Sequence, residues 1–254
     1  MILAVDAGNS NIVLGCMAGL EVRHTVRLVT NRVMDAAGYT AAIETALTQS
    51  GYLAQGFDGA ILSSVVAAVT EPLRQALFAL ITGPVLVVGE TARTTVSIRI
   101  DQPETLGVDL IAAAEGALAQ YTPPLVLIDM GTATTFSVLD QRGAFLGGAI
   151  APGVRLGADA LAQRTGLPMV DMLPPQSPLG RGTVDCLRSG IVLGAAAMVD
   201  GMLDQLEDAL GMPVTAVATG GLAGCVTPHC RRHIILDDAL LLRGLAVMYS
   251  RETH

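Results

Sequence analysis

Two short segments, half a chain apart, constrain the fold more than any other feature. Ile2-Leu3-Ala4-Val5 runs into Asp6-Ala7-Gly8-Asn9-Ser10, and Leu125-Val126-Leu127-Ile128 runs into Asp129-Met130-Gly131-Thr132-Ala133-Thr134-Thr135. Each is an apolar strand ending in Asp-x-Gly and a polar turn. The two aspartates stand 123 positions apart in a chain of 254 residues, which implies two similar halves. In each half a second apolar run, a glycine-containing turn and a third run follow, so a hairpin is expected to extend the first strand.

Beyond each hairpin the pattern alternates between helix and strand. Helices are expected over 35–50, 71–81 (with Pro72 in the first turn), 154–164, 183–210 and 239–250. Buried strands are expected over 59–66, 84–89 and 214–221. Near-continuous Val/Ile/Leu strands alternating with helices imply mixed or parallel sheets covered on both faces. The expected fold is α/β, with domains over 1–118 and 119–254 and the last helix packing back on the first.

Composition matters here for what it removes. Mean hydropathy is high, +0.54, yet the apolar residues come in short pieces broken by Asp, Arg, Thr or Pro, so no membrane span is expected. No basic stretch precedes the opening MILAV and Asp6 interrupts it, so a secretory leader is not expected either. A net charge of -8 with scattered Lys and Arg argues against nucleic acid as a partner. Four cysteines, Cys16, Cys186, Cys225 and Cys230, do not form a disulfide framework pattern, which suits a reducing cytoplasm. Cys225, His229, Cys230 and His233 fall within nine residues, but adjacent His229 and Cys230 would have difficulty reaching one tetrahedral zinc, and a loop with partly buried thiols is expected instead.

The Asp-x-Gly turns have a chemical use. Backbone N–H groups in such a turn can point at phosphate oxygens, and glycine permits close approach. Hydroxyls at Ser10, Thr132, Thr134 and Thr135 would add donors, and a carboxylate at a strand tip can hold Mg2+ directly or through water. Two copies suggest a nucleotide in a cleft between two related domains. Thr219-Gly220-Gly221, at the carboxyl end of a buried strand, is a third place where ligands approach such sheets.

These motifs, with Gly107-Val108-Asp109, Gly147-Gly148-Ala149-Ile150-Ala151-Pro152-Gly153, Leu167-Pro168, Gly180-Arg181-Gly182-Thr183 and Leu240-Leu241-Leu242-Arg243-Gly244-Leu245, stand in the order seen in type III pantothenate kinases. The chain resembles that family from about residue 1 to residue 250. The resemblance implies two duplicated actin-like ATPase (ribonuclease H-like) domains and ATP-dependent phosphorylation of pantothenate, the first step of coenzyme A synthesis. It implies ATP and phosphate contacts at Asp6, Gly8, Asn9, Ser10, Asn11, Gly131, Thr132, Thr134, Thr219, Gly220 and Gly221. Asp109 matches the family's base, and Gly107, Val108, Leu110, Ile100 and Thr183 fall at substrate positions, Thr183 reaching in from the second subunit of a homodimer. Asp129 matches the carboxylate that holds a monovalent cation, K+ or NH4+, and Asp6 is the expected Mg2+ contact.

The chain departs from the pattern around the acceptor. Leu110 stands where Arg is usual and Ile100 where Tyr is common, and an aliphatic side chain cannot pair with a carboxylate or phosphate. Gly182 replaces an Asn, and Asp238 a Pro. Three readings follow: a pantothenate kinase using Arg99 or Arg155 for the carboxylate, a kinase for a related alcohol, or a weakly active nucleotide-binding regulatory paralogue. Asp109 alone could also be read as an N-cap of the helix that LIAAAEGALAQ suggests.

Overall fold

The computed structural model describes residues 1–253. The first half comprises β1 (Ile2–Ala7), β2 (Asn11–Ala18), β3 (Glu21–Val29), α1 (Ala36–Gln49), β4 (Gly59–Ser64), α2 (Ala67–Leu80), β5 (Val85–Val87) and α3 (Val108–Leu118). The second comprises β6 (Leu125–Met130), β7 (Ala133–Leu139), β8 (Phe145–Pro152), α4 (Val154–Arg164), α5 (Thr183–Arg188), α6 (Gly194–Leu210), β9 (Thr215–Thr219), α7 (Ala223–Val226), β10 (Ile234–Leu236) and α8 (Leu240–Thr253).

The sequence repeat becomes a repeat of topology. One sheet has the order β3-β2-β1-β4-β5; the other, taken from its opposite edge, is β8-β7-β6-β9-β10. In both, the Asp-bearing strand pairs antiparallel with its hairpin partner and parallel with a later strand, so that Asp6 faces Ser63 and Asp129 faces Thr219 in equivalent registers. Both are mixed sheets flanked by helices.

The chain forms two compact units. One holds Met1–Val96, Asp101–Gln120 and the chain from Ala239 onward; the other holds Ser97–Ile100 and Tyr121–Asp238. In the first, Leu3, Val5, Ile12 and Leu14 pack on Tyr39, Ile43 and Leu47 of α1 and on Leu73 and Leu77 of α2. The opposite face, with Ala4 and Ile61, is covered by Leu245, Met248 and Tyr249 of α8. α3 and α8 cross closely: a Cβ on Gly116 would lie 2.1 Å from the Leu240 carbonyl oxygen, and one on Gly244 1.7 Å from that of Ala112. Any larger residue at either position would push the helices apart.

In the second unit Val126, Ile128, Met130 and Phe136 pack on Ala196, Val199 and Leu203 of α6. α5 and α6 are joined by a single π-helical stretch, Ser189–Leu193, into one helix from Thr183 to Leu210 that is long and apolar enough to cross a membrane. Its Asp200, 6% exposed, accepts the backbone N–H groups of Arg231 and Arg232, which fixes it in this unit.

Some elements differ from expectation. α2 begins at Ala67, so Pro72 lies inside the helix. The Ala67-Ala68-Val69 run already supports helix, Thr70 Oγ1 donates to the Val66 carbonyl, and the cost is the one N–H that proline lacks. The strand expected over 59–66 therefore stops at Ser64. The edge strands β3 and β8 alternate between exposed and covered residues, unlike the central β1, β4 and β6. Burial on both faces holds for the middle of each sheet only.

Candidate active site

In the first unit the turn after β1 is closed by Gly8 N–H donating to the Asn11 carbonyl (3.0 Å), leaving Asn9 and Ser10 exposed at its tip. A Cβ on Gly8 would meet only the Asn11 carbonyl, at 3.4 Å, so the turn is open to an approaching group. Asp6, half-buried one residue from the end of β1, accepts from the Ser63 hydroxyl at 3.0 Å. Thr30 ties the loop from outside: its hydroxyl donates to the Gly8 carbonyl (2.7 Å) and its N–H to that of Ser10 (3.1 Å). Arg32 Nη2 donates to Asn9 Oδ1 at 2.9 Å.

Asp109 belongs to the same edge of this sheet. Gly107 caps α3, Val108 begins it, and Asp109 is in its first turn, where the helix dipole favours a negative charge. A Cβ on Gly107 would lie 3.8 Å from Val65, whose N–H bonds the carbonyl of Ala7 at the end of β1. The carboxyl ends of β1 and β4 and the start of α3 thus meet where ligands reach open α/β sheets. Asp109 is not an N-cap: its Oδ1 accepts the N–H of Leu110 at 2.8 Å. Burial pushes its carboxyl above the ordinary value, and backbone N–H groups only partly offset that.

In the second unit the turn after β6 is tighter, with Gly131 N–H donating to the Ala133 carbonyl (3.0 Å) and Thr132 exposed at the tip. The chain brings the distant Thr219-Gly220-Gly221 segment to this turn. Thr219 pairs with Asp129 across the β6–β9 ladder, and Gly220 has φ +95°. A Cβ there would lie 2.4 Å from Asp129 Oδ1 and 2.7 Å from Met130 N. Only glycine allows both that backbone angle and that approach. The hydroxyls of Thr134 and Thr135 are buried and, among the described residues, have no hydrogen-bond partner. Buried polar groups rarely stay so, and these lie on the strand that leaves the turn.

The remaining predicted residues are more dispersed. Ile100 is half-buried, with Cγ2 3.8 Å from a Cβ built on Gly147. Thr183 is exposed at the start of α5. Leu110 is half-buried in the first turn of α3, Arg99 lies 3.8 Å from Asp140, and Arg155 is exposed on α4. The two cysteines of the cluster bond to backbone: Cys225 Sγ donates to the Met172 carbonyl at 2.7 Å and Cys230 Sγ to that of Val226 at 3.7 Å, and burial raises the Cys230 thiol to about 11.

A family model described as type III pantothenate kinase matches residues 2–205. The chain is 35% identical over 254 residues to the type III pantothenate kinase of Moorella thermoacetica, with both chains covered completely. It is 38% identical over 248 residues to that of Thermus thermophilus, covering 96% of this chain and 97% of that one. The chain belongs to the type III pantothenate kinase family. It is therefore a kinase. Among solved structures it is similar to an activator of 2-hydroxyisocaproyl-CoA dehydratase from Clostridium difficile with bound ADPNP (TM-score 0.56, 13% identity, 98% and 93% coverage). It is also similar to a ROK hexokinase from Thermus thermophilus (TM-score 0.52, 16% identity, 98% and 99% coverage). At such identities these likenesses show the fold, that of the actin-like ATPases.

Reading the sequence overlooked Ser63, Thr30 and Arg32. Ser63 left a signal, a polar residue ending an apolar strand at the ligand-facing edge of a sheet. Arg32 left none, because its contact with Asn9 spans 23 positions.

Proposed function

We propose that this kinase transfers the γ-phosphate of ATP to the primary hydroxyl of pantothenate, giving 4′-phosphopantothenate at the start of coenzyme A synthesis. The observation that carries the reading is Asp109, a half-buried carboxylate placed at the sheet edge that also bears the Gly8–Asn11 turn. Its Oδ1 is engaged by the Leu110 N–H, so Oδ2 remains to accept the proton of the attacking hydroxyl. Burial strengthens it as a base. By the family resemblance Gly107, Val108, Leu110, Ile100 and Thr183 are assigned to the acceptor, Thr183 from a second subunit.

Phosphoryl transfer needs charge neutralisation and alignment more than covalent help. The N–H groups and side chains of Gly8, Asn9, Ser10 and Asn11 meet phosphate oxygens, and Gly131, Thr132 and Thr134 do so from the second turn, where orphaned hydroxyls await a partner. Thr219, Gly220 and Gly221 face the adenosine side. Among the described residues no three His, Cys, Asp or Glu side chains cluster, so any cation is held by single carboxylates completed by water, backbone or phosphate oxygens. That donor set suits Mg2+ at Asp6 and K+ or NH4+ at Asp129. When bound, such cations neutralise the triphosphate.

The homodimer has support on the surface of the second unit. Ile150 (79% exposed) on β8, Leu156 and Leu161 on α4, Met169 and Leu179 in the next loop and Val184 on α5 are large apolar side chains facing outward. Contiguous apolar surface marks association sites, and these side chains sit on consecutive stretches of the chain. The setting is the cytoplasm.

Mass spectrometry of a reaction with Mg2+, K+, ATP and pantothenate tests the reading. It predicts pantothenate converted to its monophosphate. Pantothenate recovered unchanged while ATP binds, or while another alcohol is phosphorylated, would refute it.

A further inference from the structure

An arginine can only donate hydrogen bonds, so its contact with an amide must be made through the amide oxygen. Arg32 Nη2 holds Asn9 Oδ1 at 2.9 Å, and this fixes the orientation of the Asn9 carboxamide: oxygen towards Arg32, NH2 away from it. An asparagine without such a neighbour turns either end outward with equal ease. At a phosphate-binding turn the two ends have opposite effects, since an NH2 attracts an anion and an amide oxygen repels it.

The segment carrying Arg32 is held on both sides. Thr30, two residues earlier, makes two bonds to the turn itself, at Gly8 and Ser10. Asn31 is clamped by Tyr39, which is 1% exposed: the Tyr39 hydroxyl donates to the Asn31 carbonyl (2.8 Å) and accepts its N–H (3.2 Å). Asp35 then caps α1 through the Gly38 N–H. Among the described residues Arg32 makes no ion pair, and its side-chain hydrogen bond goes to the Asn9 amide. A cation left without an anion, on a braced segment beside an anion-binding turn, has a use there.

We infer that Arg32 is a positioning residue that orients the Asn9 carboxamide so that its NH2 faces the nucleotide phosphates. The inference rests on the phosphate-binding role proposed for the Gly8–Asn11 turn. Both side chains are exposed, so substitution leaves the core intact.

The test compares Arg32→Met, Arg32→Lys, Asn9→Ala, Asn9→Asp and the Asn9→Ala/Arg32→Met double variant by steady-state kinetics and thermal melting. Arg32→Met should raise KM for ATP about tenfold, the loss of one charge-assisted contact, with KM for pantothenate unchanged. Arg32→Lys should recover part of this. The double variant should be no worse than the poorer single one, because both act through one amide. Asn9→Asp separates donor from structure: its carboxylate pairs with Arg32 and keeps the melting temperature, yet ATP affinity falls at least as far as in Asn9→Ala. A normal KM for ATP in Arg32→Met with an impaired Asn9→Ala would overturn the inference and leave the turn's role standing. So would additive effects in the double variant. Normal KM in both single variants would remove the Asn9 side chain from phosphate binding and overturn the inference, while leaving the backbone N–H groups of the turn in that role.

Discussion

At the scale of single residues, glycine positions separate steric requirement from mere looseness. Gly220 has a left-handed backbone and no space for a side chain against Asp129 and Met130, so two constraints act at once. Gly220→Ala should lower stability by about 2 kcal/mol or more and weaken ATP binding, as melting and calorimetric titration would show. An alanine variant that melts like the parent would mean that the β6 and β9 ends do not meet this closely. Asp6, Asp129 and Gly220 were legible because each ends a run of apolar residues, where polarity and small size stand out. Ser63 left the same kind of signal near the end of an apolar strand and was overlooked, whereas Arg32 left none, since it reaches its partner across a hairpin.

At the scale of elements, the least legible feature is how α8 seats on α3. Gly116 and Gly244 permit the crossing but lie in different parts of the sequence, and neither has a local turn to explain it. The same contact buries Glu115, 5% exposed, against Arg251, Thr94 and Thr95. Burial alone would raise the Glu115 carboxyl, but the Arg251 guanidinium, the Thr95 N–H and the Thr94 hydroxyl outweigh it and hold it below the ordinary range. A carboxylate with a depressed folded-state pKa stabilises the fold above its unfolded pKa, and that stability is lost as pH falls through the folded value. Glu115→Gln should cost about 2 kcal/mol at neutral pH and show a smaller further loss on acidification, measured by urea unfolding. Equal acid sensitivity in both proteins would assign the effect elsewhere. Pro72 makes the complementary point, because a proline usually found at a helix start is tolerated in the second turn when alanines precede it.

At the scale of the whole molecule, the duplication and the hairpin after each Asp-bearing strand were readable from the two Asp-x-Gly segments and the runs that follow them, whereas the strand order of each sheet was not, because it depends on pairing with the later strands β4 and β9. Alternation on β3 and β8 was not, because which strands become edges depends on pairing between distant segments. The exposed apolar residues on β8, α4 and α5 are the consequence that matters for assembly. Sedimentation should give about twice the chain mass of 26.2 kDa, and Ile150→Asp should shift the protein towards that single-chain value. A monomeric parent at micromolar concentration would contradict the dimer.

The central claim is that Asp109 deprotonates pantothenate for attack on ATP, although Leu110 stands where the family usually has arginine. Coupled ADP release with Mg2+ and K+, with and without pantothenate, tests it most directly in the parent and in Asp109→Asn. The account predicts pantothenate-dependent release that falls about 100-fold or more in the variant with KM for ATP little changed, and an acid limb in the parent's kcat/KM profile above the ordinary aspartate range. Release that ignores pantothenate, or that survives Asp109→Asn, would contradict it.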